Sequence, residues 1–184
     1  LSQSEVIKRL RGDVDEVIAL TIMRGTPGVP VDFSLIRMHI IVPTVEARRD
    51  ASLLRLKISG FNQGTARSVR RVLDKAEREI GDNLKGLIID LRNNPGGLLD
   101  QAVEVADIFI ESGRIISTKG RHSDSDQMFD ATSGAFRSEL PIAVLINGRS
   151  ASAAEVLAVS LRDLGRATVL GSSSYGKGTV QTIL

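Results

Sequence analysis

The 184-residue sequence contains no cysteine. That excludes disulfides, a thiolate nucleophile and cysteine-based zinc sites together, and it leaves stability to packing. Histidine is scarce as well, with His39 and His122 the two present. His39 alternates within a strand-like run and His122 falls in a polar loop, so neither suits a Ser-His-Asp triad, and no cluster of histidines and carboxylates marks a metal site. No metal and no cofactor are expected. An excess of one charge is missing too: 24 basic against 22 acidic residues leave a net charge of +2, which makes no nucleic-acid footprint. No apolar run approaches the roughly 18 residues that cross a bilayer, and the polar start Leu1 to Glu5 is no signal sequence. Internal repeats and low-complexity tracts are absent.

What is present is a sequence with 42% hydrophobic residues, enough for a buried core. Ser2 and Glu5 have capping-box spacing ahead of a short helix bearing Val6, Ile7 and Leu10 on one face and ending near Gly12. Strands are expected over Val17 to Met23 and Phe33 to Ile41, with Gly25, Pro27, Gly28 and Pro30 marking the turn between them. A boundary near Pro43 divides this α/β piece, residues 1–43, from residues 44–184.

Beyond it, strands alternate with helices, which is the signature of crossover units building a mostly parallel sheet. Strands are read at Leu53 to Ser59, Gly86 to Leu91, Ile115 to Thr118, Ile142 to Ile146, Ala167 to Leu170 and Thr179 to Leu184. Helices are read over Ala66 to Ile80, Leu98 to Ile110 and Ala151 to Leu164. The polar stretch Gly120 to Glu139 is long for a structureless connection and is expected to hold a hairpin or a flap.

Three apolar strands run into Gly- or Ser-rich turns, where ligands meet helix N-termini in parallel sheets. The turns are Arg92 to Gly97, Asn147 to Ser152 and Gly171 to Gly178. Gly96 and Gly97 open a helix, so their N–H groups suit an oxyanion hole or simply a tight turn. Ser152 stands three residues before Glu155, the spacing of a helix cap as much as of a nucleophile at a helix start. Lys177 lies between Gly176 and Gly178. The stretch Gly171 to Lys177 nearly matches a P-loop, but Gly178 stands where magnesium binding needs Ser or Thr, and a β-rich run follows instead of a helix. With no usable histidine or cysteine, a serine activated by lysine is the remaining nucleophile chemistry.

The three turns, in this order, resemble the carboxyl-terminal processing peptidases, or tail-specific proteases. The matching stretches are Ile89-Asp90-Leu91-Arg92-Asn93-Asn94-Pro95-Gly96-Gly97, Ser150-Ala151-Ser152-Ala153-Ala154-Glu155 and Tyr175-Gly176-Lys177-Gly178-Thr179-Val180-Gln181. The resemblance implies Ser152 as nucleophile, Lys177 as general base, Gln181 as the third member, and an oxyanion hole of the Ala153 amide with Gly96 or Gly97. It implies an α/β fold, a Clp-protease/crotonase-like core of repeated strand-strand-helix units, preceded by part of a PDZ domain in residues 1–43. That part lacks its first strands and carboxylate-binding loop, so a complete peptide groove is not expected, and the chain reads as a fragment of a longer enzyme.

The implied activity is a serine endopeptidase cleaving polypeptides near their C-terminus through an acyl-enzyme; the rival is an inactive, peptide-binding PDZ scaffold. The implied setting is exported, periplasmic, with polypeptide substrates recognised by their C-termini, no nucleic acid, and room for membrane association through an absent segment and for a homo-oligomer. An ordinary lysine titrates near ~10.4, so the base role calls for an environment that disfavours its charge. Burial of Lys177 among apolar strands and glycines is the expected means.

Overall fold

The computed structural model describes residues 2–38, 42–121 and 125–180. It divides into two compact units, Leu1–Ile41 and Val42–Leu184.

The first unit holds helix α1 (Gln3–Leu10) and an antiparallel hairpin of β1 (Val17–Arg24) and β2 (Val29–Ile36). The capping box forms: the Ser2 N–H donates to the Glu5 carboxylate at 2.7 Å and the Glu5 N–H to the Ser2 hydroxyl at 3.3 Å. At the other end of α1 the Arg37 guanidinium donates to the carbonyls of Leu10 (3.0 Å) and Arg9 (3.3 Å), which the helix itself leaves unpaired. A Cβ at Gly12 would lie 2.5 Å from the Arg37 guanidinium carbon, so a side chain there would displace the end of Arg37 from these carbonyls. The second strand starts earlier than expected. Val29↔Arg24 is the first pair of the ladder, so Pro30 sits inside β2 instead of in the turn.

The second unit is built on a five-stranded sheet in the order β3-β4-β5-β8-β9. Its strands are β3 (Val45–Asp50), β4 (Leu53–Ile58), β5 (Gly86–Asp90), β8 (Ile142–Ile146) and β9 (Thr168–Gly171). β3 pairs antiparallel with β4, and all other pairings are parallel. Helices α2 (Thr65–Ile80), α3 (Leu99–Asp107) and α4 (Ala153–Asp163) supply the crossovers. α2 buries Ala66, Val69, Leu73, Ala76 and Ile80, a stripe at helical spacing that packs with Leu54, Leu56, Ile58, Leu87, Ile89 and Val144 in one core.

The polar stretch after α3 forms a hairpin: β6 (Arg114–Thr118) pairs antiparallel with β7 (Gln127–Asp130) as a sheet of its own. The run expected as a last strand does not form one where it is described. Thr179 and Val180 are irregular, since no neighbouring strand offers them a ladder among the described residues, and 181–184 lie outside those residues.

Candidate active site

Because β5, β8 and β9 are parallel, the three Gly- and Ser-rich turns leave the sheet at one end. Specific bonds then draw them together. Asp90, the last residue of β5, is buried and accepts from Arg92 through Nε (2.9 Å), a terminal nitrogen (2.8 Å) and the backbone (3.1 Å), and from Arg55. The Arg92 bonds, with those of Arg55, hold the Asp90 carboxyl well below the usual range against the opposing effect of burial.

Asn93 and Asn147 tie the first turn to the second. The Asn93 N–H donates to Asn147 Oδ1 (3.0 Å) and Asn147 Nδ2 to Asn93 Oδ1 (3.1 Å). Asn94 is fully buried; its amide donates to the Ile58 carbonyl (2.9 Å) and its backbone carbonyl accepts from Ala151 (2.9 Å).

The two glycines of the first turn have different roles. The Gly96 N–H is engaged by Asn94 Oδ1 at 2.8 Å, and its carbonyl accepts from Phe61 at 3.0 Å. Gly96 is therefore not the oxyanion donor that the sequence left as one of two choices. It is a spacer: its φ is +103°, and a Cβ there would lie 2.9 Å from the Ser152 Cβ and 2.8 Å from the Ala151 carbonyl. Gly97 is exposed, with φ +138°, and its N–H makes no hydrogen bond among the described residues. The Ala153 N–H, at the start of α4, is likewise unengaged among them. Of the three backbone N–H groups that the resemblance marks for an oxyanion hole, those of Gly97 and Ala153 are the two that no described residue engages.

The second turn separates two serines that sequence alone treats alike. Ser150 is fully buried; its hydroxyl donates to the Leu91 carbonyl (2.8 Å) and accepts from the Asn147 N–H (3.0 Å). It is a fastener between β5 and β8. Ser150→Ala is expected to cost about 1–3 kcal/mol by leaving both partners unsatisfied, read as a lower urea midpoint with unchanged slope.

Ser152 sits at φ +55°, ψ −118°, a region that costs a non-glycine residue about 1–3 kcal/mol. The setting is a strand, a sharp turn and a helix, the elbow that lifts a serine hydroxyl out of a sheet. Ser152 and Glu155 keep capping-box spacing, and the Ser152 N–H donates to Glu155 Oε2 at 2.7 Å. The Glu155 N–H points to the Ser152 carbonyl (2.8 Å), and the Ser152 hydroxyl makes no cap hydrogen bond.

Glu155 does more than cap. Its Oε1 accepts from the Ser174 hydroxyl and the Gly176 N–H, each at 2.6 Å, and its Oε2 accepts from the Lys177 N–H at 3.0 Å. One carboxylate oxygen thus holds the backbone amides of both Ser152 and Lys177. The Tyr175 N–H adds a bond to the Ser150 carbonyl at 3.0 Å. Burial opposes ionisation of Glu155, but the bonds from Ser174, Gly176, Ser152 and Lys177 outweigh it and lower its pKa. The clamp's contribution to stability is accordingly present at neutral pH and is lost as pH falls through that lowered folded value. In the sequence Glu155 showed only its capping half; the other three donors lie 19 to 22 positions away.

The Lys177 side chain is exposed, not buried among apolar strands as expected. The reason is local: residues 173–180 form no strand, so no layer of this chain closes over them among the described residues. Gln181, His39 and His122 lie outside the described residues. No metal-binding group of three or more His, Asp or Glu occurs among the described residues.

Residues 52–184 match the profile of peptidase family S41. A carboxy-terminal-processing protease of Bartonella bacilliformis is 42% identical over 182 residues, covering 98% of this chain and 42% of the relative. A probable CtpA-like serine protease of Staphylococcus aureus is 37% identical over 181 residues, covering 97% of this chain and 35% of the relative. Among solved structures, the photosystem II D1 C-terminal processing protease superposes with TM-score 0.67 at 25% identity, over 99% of this chain and 50% of that one. A putative S41 protease from Bacteroides fragilis shares the fold, with TM-score 0.62 at 17% identity over 88% of this chain and 48% of that one. The chain thus spans less than half the length of the curated relatives it matches.

Proposed function

The chain belongs to peptidase family S41, and on that premise we propose that it carries the Ser-Lys centre of a serine endopeptidase that cleaves polypeptides near their C-terminus. The observation that carries the reading is that one carboxylate, Glu155, binds the backbone amides of both the strained Ser152 elbow and the Lys177 turn.

In this mechanism the Ser152 hydroxyl passes its proton to the Lys177 amine as its oxygen attacks the scissile carbonyl carbon. The Gly97 and Ala153 N–H groups receive the oxyanion, and the N-terminus of the 11-residue α4 adds a favourable field. Lysine returns the proton to the leaving amine, giving an ester of Ser152, and then takes one from the water that hydrolyses it. Glu155 anchors the backbone amides of both Lys177 and Ser152, so the amine reaches the hydroxyl from a turn already tied to the nucleophile. Gln181 is assigned the orienting role on the resemblance. Residues 1–43 are assigned to the end of a PDZ domain that selects C-termini, and the enzyme to an exported, periplasmic setting.

A fluorophosphonate probe tests the reading directly. Ser152 Oγ should displace fluoride from phosphorus and form a stable phosphonate ester on the peptide containing residue 152, and mass spectrometry should find no adduct in Ser152→Ala. An adduct elsewhere, or none, would favour the capping role for Ser152.

Glu155→Gln tests the clamp. Replacing one oxygen by an NH2 sets a donor against amide donors of Ser152 and Lys177 or of Gly176. Turnover is expected to fall roughly 10²-fold through misplacement of the dyad, with KM little changed, as steady-state kinetics would show.

A further inference from the structure

The oxyanion hole assigned above draws its two donors from different turns, Gly97 after β5 and Ala153 after β8. Such a pair works only while one turn is fixed against the other, since a misplacement of about 1 Å can cost roughly 10²-fold in rate. Asn94 bonds to both turns and to the sheet, and it is fully buried. Its Oδ1 accepts from the Gly96 N–H at 2.8 Å, one residue before the first donor. Its backbone carbonyl accepts from the Ala151 N–H at 2.9 Å, two residues before the second. Its Nδ2 donates at 2.9 Å to the carbonyl of Ile58, the last residue of the interior strand β4. A turn of this kind needs only the Oδ1 bond; the Nδ2 bond ties the turn to the sheet.

The direction of the Gly97 N–H follows from its neighbours. Phe61 and Gly97 form a parallel bridge, in which the Phe61 N–H donates to the Gly96 carbonyl and the Leu98 N–H to the Phe61 carbonyl, each at 3.0 Å. Successive amides of an extended chain point to opposite sides, so the Gly97 N–H faces away from Phe61. The pairing is close: a Cβ on Gly97 would lie 2.1 Å from the Phe61 carbonyl oxygen. Phe61 thus fixes the backbone through the Gly96 carbonyl and the Leu98 amide, and among the described residues Asn94 is what holds the Gly96 amide.

We propose that Asn94 is the positioning residue of the oxyanion hole: by joining Gly96 to Ile58 and to Ala151 it sets the Gly97 amide against the Ala153 amide, and it touches no reacting atom itself. The inference rests on the reading of Ser152, Gly97 and Ala153 given above. A donor pair out of place weakens binding of the oxyanion and not of the ground-state peptide, so the loss belongs in kcat.

The test uses the full-length enzyme. Reactive sites are counted by the phosphonate ester formed at residue 152 on exhaustive reaction, and kcat is expressed per site. Asn94→Leu keeps much of the volume and the backbone bond to Ala151 but leaves the Gly96 N–H without its acceptor. Its kcat should fall roughly 10²-fold with KM within about 2-fold of the parent. Asn94→Asp returns an acceptor to Gly96 and should recover at least about 10-fold of that loss. If Asn94→Leu or Asn94→Asp does not fold, Asn94→Ala and Asn94→Ser give the same comparison, because a serine hydroxyl replaces the Asn acceptor in such a turn, more weakly. A merely structural Asn94 would instead behave as expected of Ser150→Ala, with a lower urea midpoint and unchanged kcat per site. Unchanged kcat in Asn94→Leu, a loss confined to KM, or no recovery in Asn94→Asp would overturn the proposal while the ester at Ser152 still formed. Absence of that ester from the parent enzyme would overturn the reading of Ser152 itself, and the role of Asn94 with it.

Discussion

Ser152→Ala is expected to lower peptide cleavage by about 10⁴-fold or more while leaving the urea midpoint close to that of the parent chain. The two measurements are decisive together because the two roles of Ser152 predict opposite pairs of results. A capping serine replaced by alanine costs about 1 kcal/mol of stability and leaves catalysis in place. Here the hydroxyl makes no cap hydrogen bond, the Glu155 N–H goes to the Ser152 carbonyl, and the carboxylate binds the Ser152 N–H, which alanine keeps. The backbone strain at φ +55° is also unchanged by the substitution. Ser150→Ala should show the reverse pattern, with a lower midpoint and cleavage per folded molecule largely retained, since its buried hydroxyl joins Leu91 to Asn147. Cleavage that survives Ser152→Ala and is abolished by Ser150→Ala would exchange the two assignments.

The three turns were legible in the sequence because each is local: an apolar strand, then glycines or serines, then the next element. Their convergence was legible too, as a consequence of alternating strands and helices. What escaped was whatever depends on residues far apart. Strand β3 was missed because Glu46, Arg48, Arg49 and Asp50 mask its pattern with charge, as is common on an edge strand that must not pair further. The choice between Gly96 and Gly97 turns on the Asn94 side chain reaching back two residues to one N–H and not the other. The distinction between Ser150 and Ser152 turns on burial against Leu91, 59 positions away. Burial of Lys177 was expected from its apolar and glycine neighbours, yet burial is set by what lies over a segment, and nothing in those neighbours reports that.

The exposed position of Lys177 makes its substitution the sharpest test of the proposed dyad. Lys177→Ala and Lys177→Arg are expected to be inactive to a similar degree, each losing about 10⁴-fold in kcat or more. Arginine keeps the positive charge and much of the length, but it does not release a proton under protein conditions. If the lysine only steadied the oxyanion by its charge, Lys177→Arg would retain appreciable turnover and Lys177→Ala would not. Because the Glu155 bond is to the Lys177 backbone N–H, neither substitution removes the anchor of the turn, and both proteins should keep the parent unfolding midpoint. Loss of activity can then be assigned to the missing amine instead of a displaced loop. A small primary amine added to Lys177→Ala should recover part of the cleavage, since it restores a proton acceptor beside Ser152 where the side chain has been cut away, and it should do nothing for Lys177→Arg, where the guanidinium still fills the space. Substantial turnover by Lys177→Arg would remove the base role and leave Ser152 as the strained start of a helix, bound to Glu155 for the sake of the turn alone.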